Sequence, residues 1–396
     1  MYSKLFPIPT FFVSVYPDNR PFFPYDSYSL RQTSKVKNSK PLHNMLFHET
    51  NGETHMSAIE QKEGLYANVE MKVEATNVCK EGRCRFCSPM FRPWVREAST
   101  RVFLENFEKN LSAYLDGGGR KVILTGGGEP TNAPAKLFGA LRIIRKATES
   151  RKIELELLTV YTNGVNLLKP IIPRASQTVL DKLVSLGLKD INLSVHGNTY
   201  EQRDYISGEH MASVNFEQLI PLCVKKGIRV MTRTALATGG IDSIQEIERF
   251  VGWAGNLGVN IAYFSDLFSL PIRNKETVPG SQEVLAWTDE HRVPYSKLLT
   301  DVGGNSSFTL RAEYSRHNNQ GKTLEFTHRD SGMRVMFGDL VIGNESDEIP
   351  TYAYMKPDGS MDLHNNARAK EKRRFVAPGK LKAYLQKCRP GRDDLE

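Results

Sequence analysis

Short apolar runs alternate with longer amphipathic segments along the middle of the chain. The apolar runs have the length of β-strands and fall at 69–75, 121–125, 153–161, 190–196, 229–236 and 260–264. Between them, apolar residues recur at roughly the helical period of 3.6 residues, at 97–115, 135–149, 177–186, 215–226 and 243–257. Strands that alternate with helices in this way predict a parallel sheet.

The number of strand and helix units limits the architecture of that sheet. Right-handed crossover connections place all the helices on one side of a curved parallel sheet. Six units are too few for a closed barrel of eight strands. The sequence therefore predicts an α/β fold built on a partial (βα)6 barrel, and we expect its open side to admit a substrate.

The two ends of the chain have a different pattern. Residues 1–65 are rich in Pro, Asn, Ser and charge, with one strand-like run at 11–16, and predict an N-terminal extension. The partial barrel is predicted to occupy 66–270. Short antiparallel strands are predicted at 308–314, 323–328, 333–342 and 352–361, so 271–365 is expected to be a small β-rich region that covers the substrate. The basic tail 366–396 is expected to be a solvated surface, with nucleic-acid contact as the alternative.

Composition narrows the class of partner. The chain has 396 residues, five cysteines and a formal net charge of +8, which favours an anionic ligand such as a phosphorylated metabolite, a nucleotide or RNA. Many soluble enzymes carry such a charge without any charged partner. The apolar run at 5–16 is interrupted by Pro7 and Pro9 and does not resemble a signal peptide. No apolar run is as long as a membrane span, so a soluble cytoplasmic protein is expected.

Three cysteines lie together directly after the first predicted strand. Cys79, Cys84 and Cys87 are clustered and odd in number, which argues against a disulfide framework and favours metal binding. Three thiolates can hold three irons of a cubane [4Fe-4S] cluster and leave the fourth iron with an open coordination position. The alternative is a zinc site with three cysteines and one histidine, for which the candidates are His48, His55 and His196.

A glycine-rich turn follows the second predicted strand. Gly126, Gly127 and Gly128 allow the backbone to approach a ligand closely and to expose carbonyl groups to an ammonium group. Glu129 adds a negative charge at the same place. A phosphate-binding loop requires amide groups, a helix start and a lysine, and here a Glu is followed by Pro130. The turn therefore favours a bound cation.

Two motifs together resemble the radical S-adenosylmethionine superfamily. One is the cysteine triplet with Phe86 before its last cysteine, and the other is Gly127-Gly128-Glu129-Pro130 after the second strand. The resemblance covers roughly residues 68–270. The layout of the motifs is particularly similar to that of the subgroup containing the molybdenum-cofactor cyclase and the twitch-type peptide-modifying enzymes. One departure is that four residues separate the first two cysteines, where the family usually has three. The Cys-x4-Cys-x2-Cys spacing leaves the three ligands in place and weakens the subgroup assignment.

The resemblance implies a chemistry and its cofactors. The family implies that the amine and carboxylate of S-adenosylmethionine chelate the open iron of one [4Fe-4S] cluster. One electron from the cluster then breaks a carbon–sulfur bond, and the resulting 5′-deoxyadenosyl radical removes a hydrogen atom from the substrate. It further implies an electron donor such as a flavodoxin or a ferredoxin.

The resemblance also implies cofactor contacts for named residues. Phe86 matches the aromatic residue that flanks the adenine. Gly127, Gly128 and Glu129 match the turn that receives the methionyl amine.

Three further residues match family positions on, or directly after, later strands. Asn163 lies in a Thr-Asn-Gly turn that the family often has after the third strand. Ser194 corresponds to a polar residue that contacts the ribose or the carboxylate, and Arg233 is expected to pair with the carboxylate. The alternatives are a simple turn for Asn163, a helix-facing side chain for Ser194 and a structural ion pair for Arg233.

The substrate is the least constrained prediction. The segment 354–361 is similar to the hairpin that opens the auxiliary-cluster region of twitch-type enzymes, but the sequence has no cysteine between 224 and 387, so a second cluster is not expected. A small nucleotide-like or sugar-like biosynthetic substrate is the leading hypothesis, and modification of a peptide or an RNA is the alternative. A hypothesis of another class is a zinc-stabilised nucleic-acid-binding protein. It would leave the glycine turn without a role.

Overall fold

The computed structural model describes residues 28–30, 70–80, 82–87, 95–267, 281–316, 322–338 and 352–364. The strand-like run predicted at 11–16 and the basic tail 366–396 lie outside the described residues, as do His48 and His55. The predicted domain boundaries remain predictions.

One sheet of twelve strands organises the described part of the chain. Its strands are β1 Tyr28–Leu30, β2 Glu70–Glu74, β3 Lys121–Thr125, β4 Leu157–Thr162, β5 Asp190–Ser194, β6 Arg229–Ala235, β7 Ile261–Ser265, β8 Phe308–Arg316, β9 Lys322–His328, β10 Arg334–Gly338, β11 Tyr352–Met355 and β12 Met361–His364. The spatial order is β1-β8-β9-β10-β7-β6-β5-β4-β3-β2-β11-β12. Because the order begins and ends on different strands, the sheet is open, and the predicted partial barrel is confirmed.

The six predicted parallel strands are confirmed as β2 to β7, which pair in parallel from one neighbour to the next. The antiparallel prediction for the C-terminal strands is confirmed, because β9 pairs antiparallel with both β8 and β10, and β11 pairs antiparallel with β12. The sequence did not predict the second partners of two of these strands: β10 also joins β7 in parallel, and β11 also joins β2 in parallel at the opposite edge of the six parallel strands. An unpaired edge strand presents a row of backbone donors and acceptors that any suitable strand can satisfy. The sequence pattern does not indicate which edge a later strand will use.

Helices cover one face of the parallel strands. They are α1 Thr100–Asp116, α2 Pro134–Arg151, α3 Val179–Ser185, α4 Tyr200–Ser207, α5 Glu209–Ala212, α6 Phe216–Lys225, α7 Ile244–Asn256, α8 Ser281–Glu290 and α9 Tyr295–Gly304. The five predicted helices correspond to α1, α2, α3, α6 and α7. Alternate strand residues such as Val73, Leu124 and Phe264 are buried in one core with Phe107 and Phe250 of the helices. In the described ranges, no helix has the length and hydropathy needed to cross a membrane.

The opposite face of the parallel sheet is the concave inner face. Successive strand residues point to opposite faces, so the residues between the core positions line this surface. A separate apolar cluster there contains Met231, Ile261, Tyr263 and Met336. The predicted site residues lie where these strands end, and that end of the inner face is the mouth of the partial barrel.

Candidate functional site

The cysteine loop, residues 75–87, leaves the end of β2 and is anchored at its beginning. Glu97 accepts hydrogen bonds from the Thr76 hydroxyl at 2.6 Å and from the Asn77 backbone N–H at 2.8 Å. The buried Lys136 side chain of α2 lies 3.0 Å from the same carboxylate. Burial opposes ionisation of Glu97, yet the hydrogen bonds from Thr76, Asn77 and Lys136 lower its pKa. The loop is therefore fixed to the helix layer before the first cysteine.

Cys84 lies close enough to both Cys79 and Cys87 on this loop for their charges to affect its thiol. Burial of the Cys84 thiol, followed by the neighbouring charges of Cys87 and Cys79, raises the pKa of Cys84 to about 12. The Cys87 N–H donates to the Cys84 carbonyl oxygen at 3.1 Å, which turns the chain between these two side chains. Within the described ranges, no three His, Cys, Asp or Glu side chains already lie at metal-binding distances. Three soft thiol ligands in one loop fit an iron–sulfur cluster in donor chemistry, and binding would release their protons.

The glycine turn, residues 126–129, docks directly on the cysteine loop. Gly128 donates its N–H to the Thr76 carbonyl oxygen at 3.0 Å, and Glu129 donates its N–H to the Val78 carbonyl oxygen at 3.0 Å. A Cβ atom on Gly128 would stand 2.2 Å from the Val78 carbonyl group, and one on Gly126 would stand 3.1 Å from the Thr76 carbonyl oxygen. Glycine at these two positions lets the two loops meet backbone to backbone.

The Glu129 carboxylate points away from the cysteine loop and joins the ends of two strands. Its Oε1 accepts from the Thr131 N–H at 3.0 Å, the Thr131 hydroxyl at 2.6 Å and the Thr162 hydroxyl at 2.6 Å. Its Oε2 accepts from the Asn163 N–H at 2.7 Å. Burial raises the pKa of this carboxyl, and the hydrogen bonds oppose the shift. The carboxylate therefore holds the glycine turn against the end of β4, and its contact with a methionyl amine remains a prediction.

We expect Glu129→Gln to lower the free energy of unfolding by about 2 kcal/mol, since one buried hydrogen bond becomes a contact between two donors. The amide oxygen of Gln can keep the three bonds of Oε1, but its NH2 group would face the Asn163 N–H. Denaturant unfolding of the variant measures this loss. Glu156→Gln is the matched control, because its side chain is 58% exposed beside Lys121, and we expect it to change stability by less than about 0.5 kcal/mol. Equal effects of the two substitutions would contradict this account of Glu129.

Phe86, the predicted adenine-flanking residue, packs at the mouth against His196. The ring centroids are 4.7 Å apart and the planes meet at 76°, an edge-to-face contact. Phe86 also borders a small apolar cluster of Ile206, Ala235, Ala237, Leu267 and Trp287. An aromatic ring in such surroundings can stack on a base, and its contact with adenine remains a prediction.

His196 is buried and neutral. Its Nδ1 accepts the Ala235 N–H at 3.0 Å, so the neutral ring carries its proton on Nε2. Burial lowers the pKa of His196 to about 3. Of the histidines considered as a fourth zinc ligand, His196 is the one within the described residues, and it has one ring nitrogen already bonded to the backbone.

The buried His196 predicts acid sensitivity. Its folded-state pKa is lowered, so the unfolded chain binds a proton first as the pH falls below about 6.5, and stability decreases from there toward pH 3. At pH 5 we expect a loss of roughly 2 kcal/mol relative to pH 7.5. His196→Asn can keep an acceptor for the Ala235 N–H without titrating, and we expect it to reduce that loss. Unfolding curves at the two pH values measure the difference, and an unchanged pH dependence in the variant would contradict the prediction.

The structure brings Ser194 and Arg233 together. They are register partners on β5 and β6, at the mouth end of the inner face. The Arg233 guanidinium lies over the Tyr263 ring, 5.1 Å from its centroid. Asn163 lies at the end of β4, where its Oδ1 accepts the Val165 N–H at 3.0 Å and shapes the turn. The cofactor contacts of these three residues remain predictions.

Two residues at the mouth were not singled out from the sequence. Glu74, the last residue of β2, is buried, and the buried Tyr354 of β11 donates its hydroxyl to the Glu74 carboxylate. A Cβ atom on Gly127 would stand 3.5 Å from both carboxylate oxygens. Glu74 could have been found from the sequence, because it is an acidic residue near the end of the first predicted strand. The contact with Tyr354 spans 280 positions of sequence and follows from the placement of β11.

Comparison with known proteins finds a family match for the central part of the chain. Residues 73–254 match the family model of the radical SAM superfamily. No curated protein matches this chain by sequence. Among solved structures, SuiB from Streptococcus suis is similar at 13% identity and a TM-score of 0.46, over 81% of this chain and 66% of SuiB. The native anSMEcpe with bound AdoMet is similar at 11% identity and a TM-score of 0.44, over 80% of each chain.

Coverage of these structures is partial. Against SuiB bound to S-adenosylmethionine, this chain spans 46% of the other chain's length and 59% of its own, at 14% identity and a TM-score of 0.38. The residues that match the family model include the cysteine loop, the glycine turn and the ends of β4, β5 and β6. Residues 73–254, which are 182 of the 396 residues, therefore match the radical SAM superfamily.

Proposed function

We propose that this chain binds one [4Fe-4S] cluster through Cys79, Cys84 and Cys87 and cleaves S-adenosylmethionine reductively. The observation that carries the proposal is the docking of the glycine turn on the cysteine loop. Two backbone hydrogen bonds join the loops, and the position of Gly128 leaves no room for a side chain. This arrangement holds a thiol set and a cation-binding turn side by side at the mouth of the barrel.

The residues of the chain then have distinct tasks around the bound cofactors. Gly127 and Gly128 present backbone groups to the methionyl amine, and Phe86 flanks the adenine. Ser194 and Arg233 lie next to each other on adjacent strands and bind the carboxylate or the ribose. Arginine suits this task because its planar donors match the geometry of a carboxylate.

When bound, the cluster and S-adenosylmethionine supply reductive cleavage of a carbon–sulfur bond and a 5′-deoxyadenosyl radical that removes a hydrogen atom from the substrate. The chain contributes positioning and exclusion of water. The inner-face cluster of Met231, Ile261, Tyr263 and Met336 is buried and gives the substrate chamber an apolar floor. The region 271–365 covers the chamber.

We propose a small anionic substrate of the nucleotide or sugar type. The net charge of +8 supports an anion. Lys80, Arg83 and Arg85 of the cysteine loop are exposed and support docking of an acidic electron donor such as a flavodoxin or a ferredoxin.

The test is anaerobic analysis of iron, acid-labile sulfide and zinc, with an absorption spectrum, on reconstituted protein. The same protein is then incubated with S-adenosylmethionine and dithionite, and 5′-deoxyadenosine is quantified against a sample without dithionite. We expect about four irons per chain and reductant-dependent product. Stoichiometric zinc without sulfide or product would overturn the proposal and favour a zinc-stabilised protein.

A further inference from the structure

The glycine turn requires a negative charge if it binds a cation, and Glu129 does not face it. Both Glu129 oxygens accept hydrogen bonds from the frame of the barrel, four in all. The carboxylate that does face the turn is Glu74. Its two oxygens lie equally close, 3.5 Å, to the Cβ position of Gly127.

We propose that Glu74, positioned by Tyr354, provides the counter-charge for the methionyl ammonium of S-adenosylmethionine. The inference deepens the proposed function and rests on it. Glu74 and Thr125 are register partners at the ends of β2 and β3, so the carboxylate stands at the point where the glycine turn begins. Glu74 is 5% exposed, and a buried carboxylate is stabilised by a cation or by hydrogen bonds.

Tyr354 gives Glu74 a fixed direction. Strand β11 lies parallel to β2 along its whole length, and the Tyr354 side chain is 7% exposed. Its hydroxyl donates to Glu74 Oε1. A carboxylate can accept about four hydrogen bonds, so it can bind the tyrosine and a ligand amine together. Tyr354 lies outside residues 73–254, so the C-terminal region takes part in the cofactor site of the radical SAM domain.

Equilibrium binding of S-adenosylmethionine to reconstituted protein, measured anaerobically without reductant, tests this inference. We expect Glu74→Gln to weaken binding by roughly 10-fold to 100-fold, the loss expected for a hydrogen bond to a charged group. The discriminating probe is the S-adenosyl analogue that carries hydrogen in place of the amino group. We expect the two proteins to bind that analogue equally, which a general distortion of the site would not produce.

Glu70→Gln is the matched control, because Glu70 is buried on the same face of the same strand, about 13 Å from Glu74 by strand rise. We expect it to bind S-adenosylmethionine as the native protein does. Tyr354→Phe should weaken binding about threefold to tenfold in the native background and have no effect in the Glu74→Gln background. Thermal unfolding verifies that each variant is folded.

The outcomes separate the two proposals. Native protein that fails to bind S-adenosylmethionine would overturn the proposed function, and this inference with it. Native binding that is unchanged in Glu74→Gln, or an equal loss of binding for the analogue without the amine, would overturn the inference alone.

Discussion

Cys84→Ala is expected to abolish reductive cleavage of S-adenosylmethionine, with 5′-deoxyadenosine formation falling by roughly 1000-fold or more, equivalent to about 4 kcal/mol of transition-state free energy. Cys84 lies between the other two proposed ligands, Cys79 and Cys87, in sequence, and its thiol interacts with both. Its removal leaves two thiolates, which cannot hold three corners of a cubane cluster. Iron, sulfide and product measured on the same reconstituted sample check the expectation.

Cys223→Ala is the matched control for this experiment. Cys223 is buried in the helix core, with its side chain fully covered, and burial raises the pKa of its thiol to about 12. We expect the variant to keep its iron and sulfide and to lose only about 1 kcal/mol of stability, as for a small core truncation. Cleavage that persists in Cys84→Ala, or that is lost equally in both variants, would contradict the ligand assignment.

The sequence predicts the framework of the fold well because hydrophobic periodicity controls it. Strands β2 to β7 follow the predicted runs, and the long helices α1, α2 and α7 follow the predicted amphipathic segments. Each of these elements packs one face against the elements that precede and follow it in the chain. The hydrophobic pattern of a short segment therefore predicts its place in the fold. Strands β10 and β11 instead flank the six parallel strands on opposite sides. Their placement was not predicted, because pairing at an edge depends on backbone groups that every strand has.

The site was predicted unevenly for a related reason. The positions of the cysteine loop and the glycine turn follow from the strands that precede them, because parallel strands end at a common edge. The direction of a carboxylate does not follow from its position. Glu129 is the last residue of the glycine turn, yet its side chain joins the turn to the end of β4, whereas the Glu74 side chain reaches Gly127 from the neighbouring strand.

Gly128→Ala is expected to separate the glycine turn from the cysteine loop. The added Cβ atom would stand 2.2 Å from the carbonyl carbon and oxygen of Val78, where only backbone can move. The displacement would strain both backbone hydrogen bonds between the loops, and we expect stability to fall by roughly 3–5 kcal/mol. Thermal unfolding and the iron content after reconstitution measure the effect, and we expect iron to fall with stability because the cysteine loop loses its support.

Gly127→Ala makes the same chemical change one residue earlier and is the matched control for stability and iron content. Its Cβ atom would stand 3.2 Å from the Asn77 side-chain oxygen and 3.5 Å from the Glu74 carboxylate, and side chains can yield by a few tenths of an ångström. We expect it to cost less than about 1 kcal/mol and to retain its iron. If the two alanines behave alike, backbone contact between the loops is not what holds the cysteine loop in place. A selective effect of Gly128→Ala would mean that the glycine turn supports the proposed cluster ligands as well as the cofactor. The backbone contact at Gly128 would then couple the cysteine loop to the glycine turn.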